Sequence, residues 1–221
     1  LLEACDKLYQ NIINKRMYIT GGIGSGKSEL SRYLEANGVP VYDSDSRTKA
    51  MYEGPLGTVL EKEFGMSLYD GSGHFDRKRL AALVFSDGEA LHRLESIVHP
   101  AVLKDFLHWR EEMLLNMDWK GYCGTAPLVC MESAIALDKP LFAGVYDIVL
   151  MVDAPEDVRV MRACRRDSVD EAVVRRRIRS QRTDRGAADY VIENDGSPDD
   201  LMKAADNVFR QIAGMQADKN R

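Results

Sequence analysis

The sequence predicts an α/β protein in which a mostly parallel sheet is covered by helices on both sides. Three observations lead there. Strand and helix patterns alternate over most of the 221 residues. Two strand patterns, "PLVCMES" and "YDIVLMVD", are continuous apolar runs, as parallel strands buried on both faces require. The stretch "TGGIGSGKSEL", Thr20 to Leu30, passes from a strand pattern into a helix pattern through a glycine-rich loop. The length fits one α/β domain with an insertion, or two small domains.

Residues 1–15 carry apolar groups at Leu1, Cys5, Leu8, Ile12 and Ile13, which suits an amphipathic helix. "RMYIT" reads as a short strand into the loop. Lys27 to Ala36 reads as a helix ended by Asn37-Gly38. "VPVY" is a second strand, with Asp43, Ser44 and Asp45 at its C-terminal end. From there to about Lys120 helix patterns follow one another, as in a helical insertion. "FDRKRLAALVFSD" has an N-cap at Asp76, and "DGEALHRLESIVHP" has one at Asp87 and is expected to stop before Pro100. "AVLKDFLHWREEMLLNM" follows. After the two apolar strands, "APEDVRVMRACRRD" opens with Pro155 in its first turn. "SVDEAVVRRRIRSQR" starts with a capping box, Ser168 and Glu171. "ADYVIEND" is a last strand. A last helix runs to Met215, capped at Ser197 with Pro198 at its first position.

Composition narrows the functional classes. Hydrophobic residues make up 45% of the chain, enough for a sizeable core, and the formal net charge is -5. Such a chain is ill suited to nucleic acid or an anionic membrane by bulk attraction. No apolar run approaches the roughly 20 residues of a membrane span. Cys5, Cys123, Cys130 and Cys164 are never at C-x-x-C spacing and are not grouped with the histidines. That argues against a structural zinc site or a disulfide framework and for reduced thiols in a cytoplasmic protein.

Gly21 to Ser28 fits G-x-x-x-x-G-K-[ST], with a strand before and a helix after. Gly22, Ile23, Gly24, Ser25 and Gly26 would turn backbone N–H groups onto ATP phosphates, helped by the N-terminus of the next helix. Lys27 would reach the β- and γ-phosphates, and Ser28 would place its hydroxyl on Mg²⁺. A phosphotransferase of this kind also needs a carboxylate for the acceptor and arginines that clamp charge. Asp43 and Asp45, at a strand's carboxyl end and sharing one face if the strand continues, fit the first need. One would accept a proton and the other would hold Mg²⁺ through a bound water. The plainer alternative is that one of them N-caps the next helix. Arg162, Arg165, Arg166, Arg175, Arg176, Arg177, Arg179, Arg182 and Arg185 crowd one region. Most suit a solvated basic face, with Arg175, Arg179 and Arg182 at helical spacing. Arg166, at a helix–helix turn, is the phosphate clamp.

With these segments in place the chain resembles the dephospho-CoA kinase family. "TGGIGSGKS", "VPVYDSDSRTKAMYE", "FDRKRLAALVFSDGEALHRLESIVHPAV", "VCMESAI", "RACRRDSVDEAVVRRRIRSQ" and "ADYVIENDGS" carry the resemblance, spanning about Tyr18 to Met215. It implies ATP-dependent phosphorylation of the ribose 3′-hydroxyl of dephospho-CoA, the last step of coenzyme A synthesis. It also implies a five-stranded parallel core, a helical substrate-binding insertion over 46–120 and a lid over 165–187, within a kinase domain of 17–215. By position, Asp45 matches the family's base, Asp43 stands beside it, Arg166 matches a lid arginine on the ATP phosphates, and Asn194 falls near the adenine. Arg93 and His99 fall in the substrate-side helices, where packing is the competing role. Glu132 takes an acidic strand-end position. The segment from Gln181 to Ala188 is shorter than the family's pattern. Residues 1–16 have no counterpart and would pack on the core or meet a partner or further domain; 216–221 would be a tail. The rival readings are another small-metabolite or nucleotide kinase of the same fold, and a nucleotide-binding regulatory protein.

Overall fold

The computed structural model describes residues 15–116, 128–133, 139–181 and 184–219. The expected N-terminal helix, Ala136 and Arg182 lie outside them. Five strands form one sheet: β1 (Lys15–Thr20), β2 (Val41–Asp43), β3 (Leu128–Glu132), β4 (Ile148–Asp153) and β5 (Tyr190–Glu193), in the order β2-β3-β1-β4-β5. The β1–β3, β1–β4 and β4–β5 pairs are all parallel. Every residue of β3 and the first five of β4 are buried, as their unbroken apolar runs require.

The chain divides into two compact units. The first comprises 1–42 and 116–221, and the second Asp43–Leu115. In the first, alternate residues Met17, Ile19, Leu128, Cys130, Ile148, Leu150 and Val152 turn one sheet face toward α1 (Lys27–Ala36) and α8 (Pro198–Lys219). Leu30, Leu34, Leu201, Ala205, Phe209 and Ile212 of those helices complete that core. The burial pushes the Cys130 thiol well above its ordinary range. The helices α6 (Glu156–Asp167) and α7 (Glu171–Ser180) pair through Val160, Ala163, Val174 and Ile178. Arg175 of α7 also binds Glu156 at 2.6 Å, Asp157 at 2.7 Å and Glu171 at 2.8 Å. This arginine is therefore engaged within the hairpin.

The second unit holds α2 (Ser44–Tyr52), α3 (Pro55–Phe64), α4 (Arg77–Ser86) and α5 (Gly88–Asn116). Leu60, Leu68, Phe75, Leu80, Ala90, Val98, Val102 and Phe106 are buried in it.

Three local expectations need correction. The helix expected to stop before Pro100 runs through it as one 29-residue element. Val98, Val102 and Phe106, four apart, are at most 7% exposed and continue one face across the proline. Burying each is worth roughly 1.5–3 kcal/mol, which together exceeds the ~3 kcal/mol an interior proline costs. Ser168 does not open a capping box. It ends α6 in the left-handed conformation with φ 53°, and Asp170 is the N-cap of α7. Pro155 likewise occupies the N-cap of α6 rather than its first turn. The caps at Asp76 and Ser197 form as expected. Asp76 accepts from Arg79 N–H at 3.0 Å, and the Ser197 hydroxyl accepts from Asp200 N–H at 3.3 Å while donating to the Asp200 carboxylate at 2.6 Å. The last helix continues past Met215 to Lys219.

Candidate active site

The strand β1 ends at Thr20, and the loop from Gly21 to Gly26 carries the chain to α1. Gly24 (φ 76°) and Gly26 (φ 106°) take left-handed conformations. A Cβ on Gly24 would stand 2.2 Å from the Arg159 carbonyl oxygen, and one on Gly26 2.1 Å from Asn194 Nδ2. These positions admit only glycine. The loop uses two of its own donors: Ser25 N–H binds the Gly22 carbonyl at 3.1 Å, and Ile23 N–H binds Gln181 Oε1 at 2.8 Å. The N–H groups of Gly24, Gly26 and Ser28 donate to no acceptor among the described residues. Together with the N-terminus of α1 they make an anion-binding nest.

Lys27 Nζ donates to the Gly21 carbonyl at 2.8 Å, so its ammonium stays over the loop. Ser28 Oγ donates to Glu132 Oε1 at 3.0 Å, and Ser31 Oγ to Glu132 Oε2 at 2.8 Å. The two hydroxyls hold a carboxylate that is only 8% exposed at the end of β3. A hydroxyl with a carboxylate behind it is a hard-oxygen pair of the type that suits Mg²⁺. Among the described residues no group of three or more His, Cys, Asp or Glu side chains could hold a metal.

Asn194 lies just after β5, 5% exposed. Its Nδ2 donates to the Ser25 carbonyl at 2.8 Å, its N–H to the Asp153 carbonyl at 2.7 Å, and its own carbonyl accepts from Arg162 at 2.8 Å. It thus braces the loop against β4, β5 and α6. The loop, Arg32, Arg162, Arg166, Asn194, Pro198 and Leu201 line a cleft of about 330 Å³. Arg166 donates to its neighbour Asp167 at 2.7 and 3.0 Å. This pairing raises Arg166 and holds the Asp167 carboxyl below the usual carboxylate range.

Asp43 is the last residue of β2, and Asp45 does not continue the strand. Asp43 is the N-cap of α2 and accepts from Asp45 N–H and Ser46 N–H, both at 3.0 Å. Asp45 sits in the first turn with its side chain exposed. The capping alternative therefore describes Asp43, and the shared-strand-face argument is replaced by a cap that aims Asp45 outward. Seven residues on, the same helix face carries Tyr52, whose ring stacks on Phe75 at 4.8 Å. Burial raises the Tyr52 phenol, and the charge on Asp45 raises it further. Arg47 binds Asp105 at 2.9 Å through both nitrogens, joining α2 to α5. Arg93 lies over the Phe64 ring at 5.5 Å and 4.0 Å from Glu63. His99, half-buried, precedes Pro100 in α5. Neither Arg93 nor His99 lines the loop cleft.

The expected loop residues except Ile23, together with Asn194 and Arg166, thus gather around one cleft; Ile23, expected to turn its N–H onto phosphate, gives it to Gln181 instead. Sequence reasoning missed Arg159, whose guanidinium lies against Gly22, and Gln181. Neither belongs to a spacing pattern, so no local signal marks them.

A glycine loop after β1, a Ser28 hydroxyl bonded to the Glu132 carboxylate and the β2-β3-β1-β4-β5 order define a P-loop kinase. The dephospho-CoA kinase family profile matches residues 16–200. The chain belongs to that family. A dephospho-CoA kinase of Porphyromonas gingivalis is 40% identical over 182 residues, covering 80% of this chain and 84% of the relative. One of Anaeromyxobacter dehalogenans is 36% identical over 201 residues, covering 89% and 91%. The crystal structure of TT1252 from Thermus thermophilus is 34% identical with a TM-score of 0.74, covering 90% of this chain and 98% of that one. The dephospho-CoA kinase of Campylobacter jejuni, 22% identical with a TM-score of 0.57 over 90% and 97%, shares the fold. No helix among the described residues is long and apolar enough to cross a membrane.

Proposed function

We propose that the protein transfers the γ-phosphoryl group of ATP to the 3′-hydroxyl of the dephospho-CoA ribose, giving CoA and ADP in the cytoplasm. The observation that carries the reading is the loop with its three uncommitted N–H groups, Lys27 above it and Glu132 behind Ser28, in a chain whose residues 16–200 fit the family. ATP binds with its β- and γ-phosphates on the N–H groups of Gly24, Gly26 and Ser28. Lys27 exchanges the Gly21 carbonyl for phosphate oxygens. Ser28, backed by Glu132, would retain Mg²⁺, which neutralises phosphate charge when bound. Asp45 orients the acceptor hydroxyl and takes its proton as the new O–P bond forms, while the bond to the β,γ-bridging oxygen breaks and its electron pair leaves on ADP. Arg166 adds positive charge as the lid over 165–187 closes and excludes water. Arg93 and His99 serve the acceptor side.

The test offers purified protein ATP with dephospho-CoA, AMP, CMP, shikimate or gluconate in turn. Phosphorylation of dephospho-CoA at a kcat/KM at least a hundredfold above the others is expected. Comparable turnover of another acceptor, or ATP binding without turnover of any, overturns the reading.

A further inference from the structure

The phosphate loop is clasped from its outer side by the α6–α7 hairpin, and Ile23 is the point of attachment. Its side chain packs against the cluster of Val160, Ala163, Val174 and Ile178 that joins the two helices. Its N–H is taken by Gln181 Oε1 at 2.8 Å. Gln181 is the C-cap of α7, and its own N–H binds the Ile178 carbonyl at 3.1 Å, so its position follows that helix. On either side of Ile23 the hairpin approaches closely: the end of the Arg159 side chain lies against Gly22, and the Arg159 backbone closes the space at Gly24. A Cβ on Gly22 would stand 1.9 Å from Arg159 Nη1, and one on Gly24 2.2 Å from the Arg159 carbonyl oxygen. The Ile23 N–H therefore belongs to the hairpin, whereas its neighbours at Gly24 and Gly26 remain for phosphate.

We propose that Gln181 is a positioning residue that couples the α6–α7 hairpin to the phosphate loop, accepting the Ile23 N–H so that hairpin position sets the loop's grip on ATP. This rests on the reading of the loop as the ATP site and of the hairpin as its lid. A rigid bracket on Ile23 fixes the angle at which the Gly24 and Gly26 donors face the phosphates, which lowers the ordering cost of binding. Coupling is reciprocal: nucleotide in the loop must then favour the hairpin position that completes the bond. The amide oxygen is the operative atom, because a backbone N–H left facing an apolar side chain loses its partner.

The test compares the full-length protein with Gln181→Met, which keeps length and removes the acceptor, and Gln181→Asn, whose amide falls one methylene short. ATP affinity is measured by calorimetry, dephospho-CoA affinity serves as the control, and exchange of the Ile23 amide is followed by NMR on folded samples. Both variants are expected to exchange the Ile23 amide faster and to bind ATP about tenfold more weakly, with dephospho-CoA affinity within about twofold of wild type. Faster exchange with unchanged or tighter ATP binding overturns the coupling and leaves a purely structural contact. Unchanged exchange overturns the bond itself. Failure of the functional reading shows separately, as wild-type protein that does not phosphorylate dephospho-CoA, and leaves the ATP comparison intact.

Discussion

At the scale of single residues, each role depends on what holds the side chain. Asp45 is exposed, and its N–H is fixed by the Asp43 cap, so the carboxylate is oriented by the helix rather than by a packed pocket. In the proposed role of base it has little to contribute to ATP binding. Asp45→Asn should lower kcat by roughly 10²–10⁴-fold and leave ATP affinity nearly unchanged, which steady-state kinetics beside calorimetry would separate. Near-normal turnover removes Asp45 from the role. Asn194 acts in the opposite way. Its buried amide satisfies the Ser25 carbonyl, and truncation leaves that acceptor without its partner. Asn194→Ala should cost roughly 1–3 kcal/mol of stability and also weaken ATP, with dephospho-CoA affinity preserved. A variant that loses neither stability nor ATP affinity would show that the loop needs no brace. The sequence pointed to Asn194 only through resemblance, because the bond joins positions 169 apart. Glu132 with Ser28 and Ser31 spans 104 and 101 positions in the same way. Such partners are chosen by the order of strands in the sheet, and no spacing rule reports that order.

At the scale of elements, the sequence was most legible where local chemistry decides alone. The P-loop flanks, the buried strands β3 and β4, and the caps at Asp76 and Ser197 all follow from residues within a turn of each other. It was least legible where packing overrode a local rule. Pro100 should end a helix, but the apolar face through Val98, Val102 and Phe106 keeps it whole. Ser168 and Glu171 read as a capping box, but α6 runs on to Asp167 and uses Ser168 to stop. Two predictions follow from the caps that do form. Asp76→Ala should cost about 1 kcal/mol in chemical denaturation, since the Arg79 N–H loses its acceptor; a change below about 0.3 kcal/mol would mean solvent replaces the cap fully. The Ser197–Asp200 cap carries a pH signature. Hydrogen bonds from the Ser197 hydroxyl and N–H hold the Asp200 carboxyl below its ordinary value. Its folded-state pKa is depressed, so its contribution is fully present above the unfolded carboxylate range and is lost as pH falls through the folded value. Asp200→Asn should therefore flatten the acid limb of the melting-temperature profile below about pH 4 and leave the neutral plateau nearly unaltered in shape. An unchanged acid limb would exclude the linkage.

At the scale of the whole molecule, chemistry is divided between the two compact units. The cleft of loop, Arg162, Arg166 and Asn194 draws only on the unit of 1–42 and 116–221. Asp43, Asp45, Tyr52, Arg93 and His99 belong to Asp43–Leu115. Each unit has its own buried apolar core. The sequence shows helical texture between the second and third strand patterns, whereas the limits of the compact unit, Asp43–Leu115, are set by contacts that no composition change marks. A division of this kind predicts separable ligand responses. A ligand that binds the folded state stabilises the region that contacts it, by about 2.7 kcal/mol at a hundredfold excess over Kd. Local opening is suppressed most where those contacts form. A non-hydrolysable ATP analogue should therefore slow amide exchange at the loop, the start of α1 and the segment around Asn194. Dephospho-CoA added alone should slow exchange in α2, in the segment around Phe75 that stacks on Tyr52, and in α5 around Asp105. Protection by dephospho-CoA confined to the loop cleft would place the acceptor in the nucleotide unit and overturn the role given to Asp45. Protection of α2 that vanishes in Asp45→Asn while the ATP pattern persists would tie the acceptor to that carboxylate.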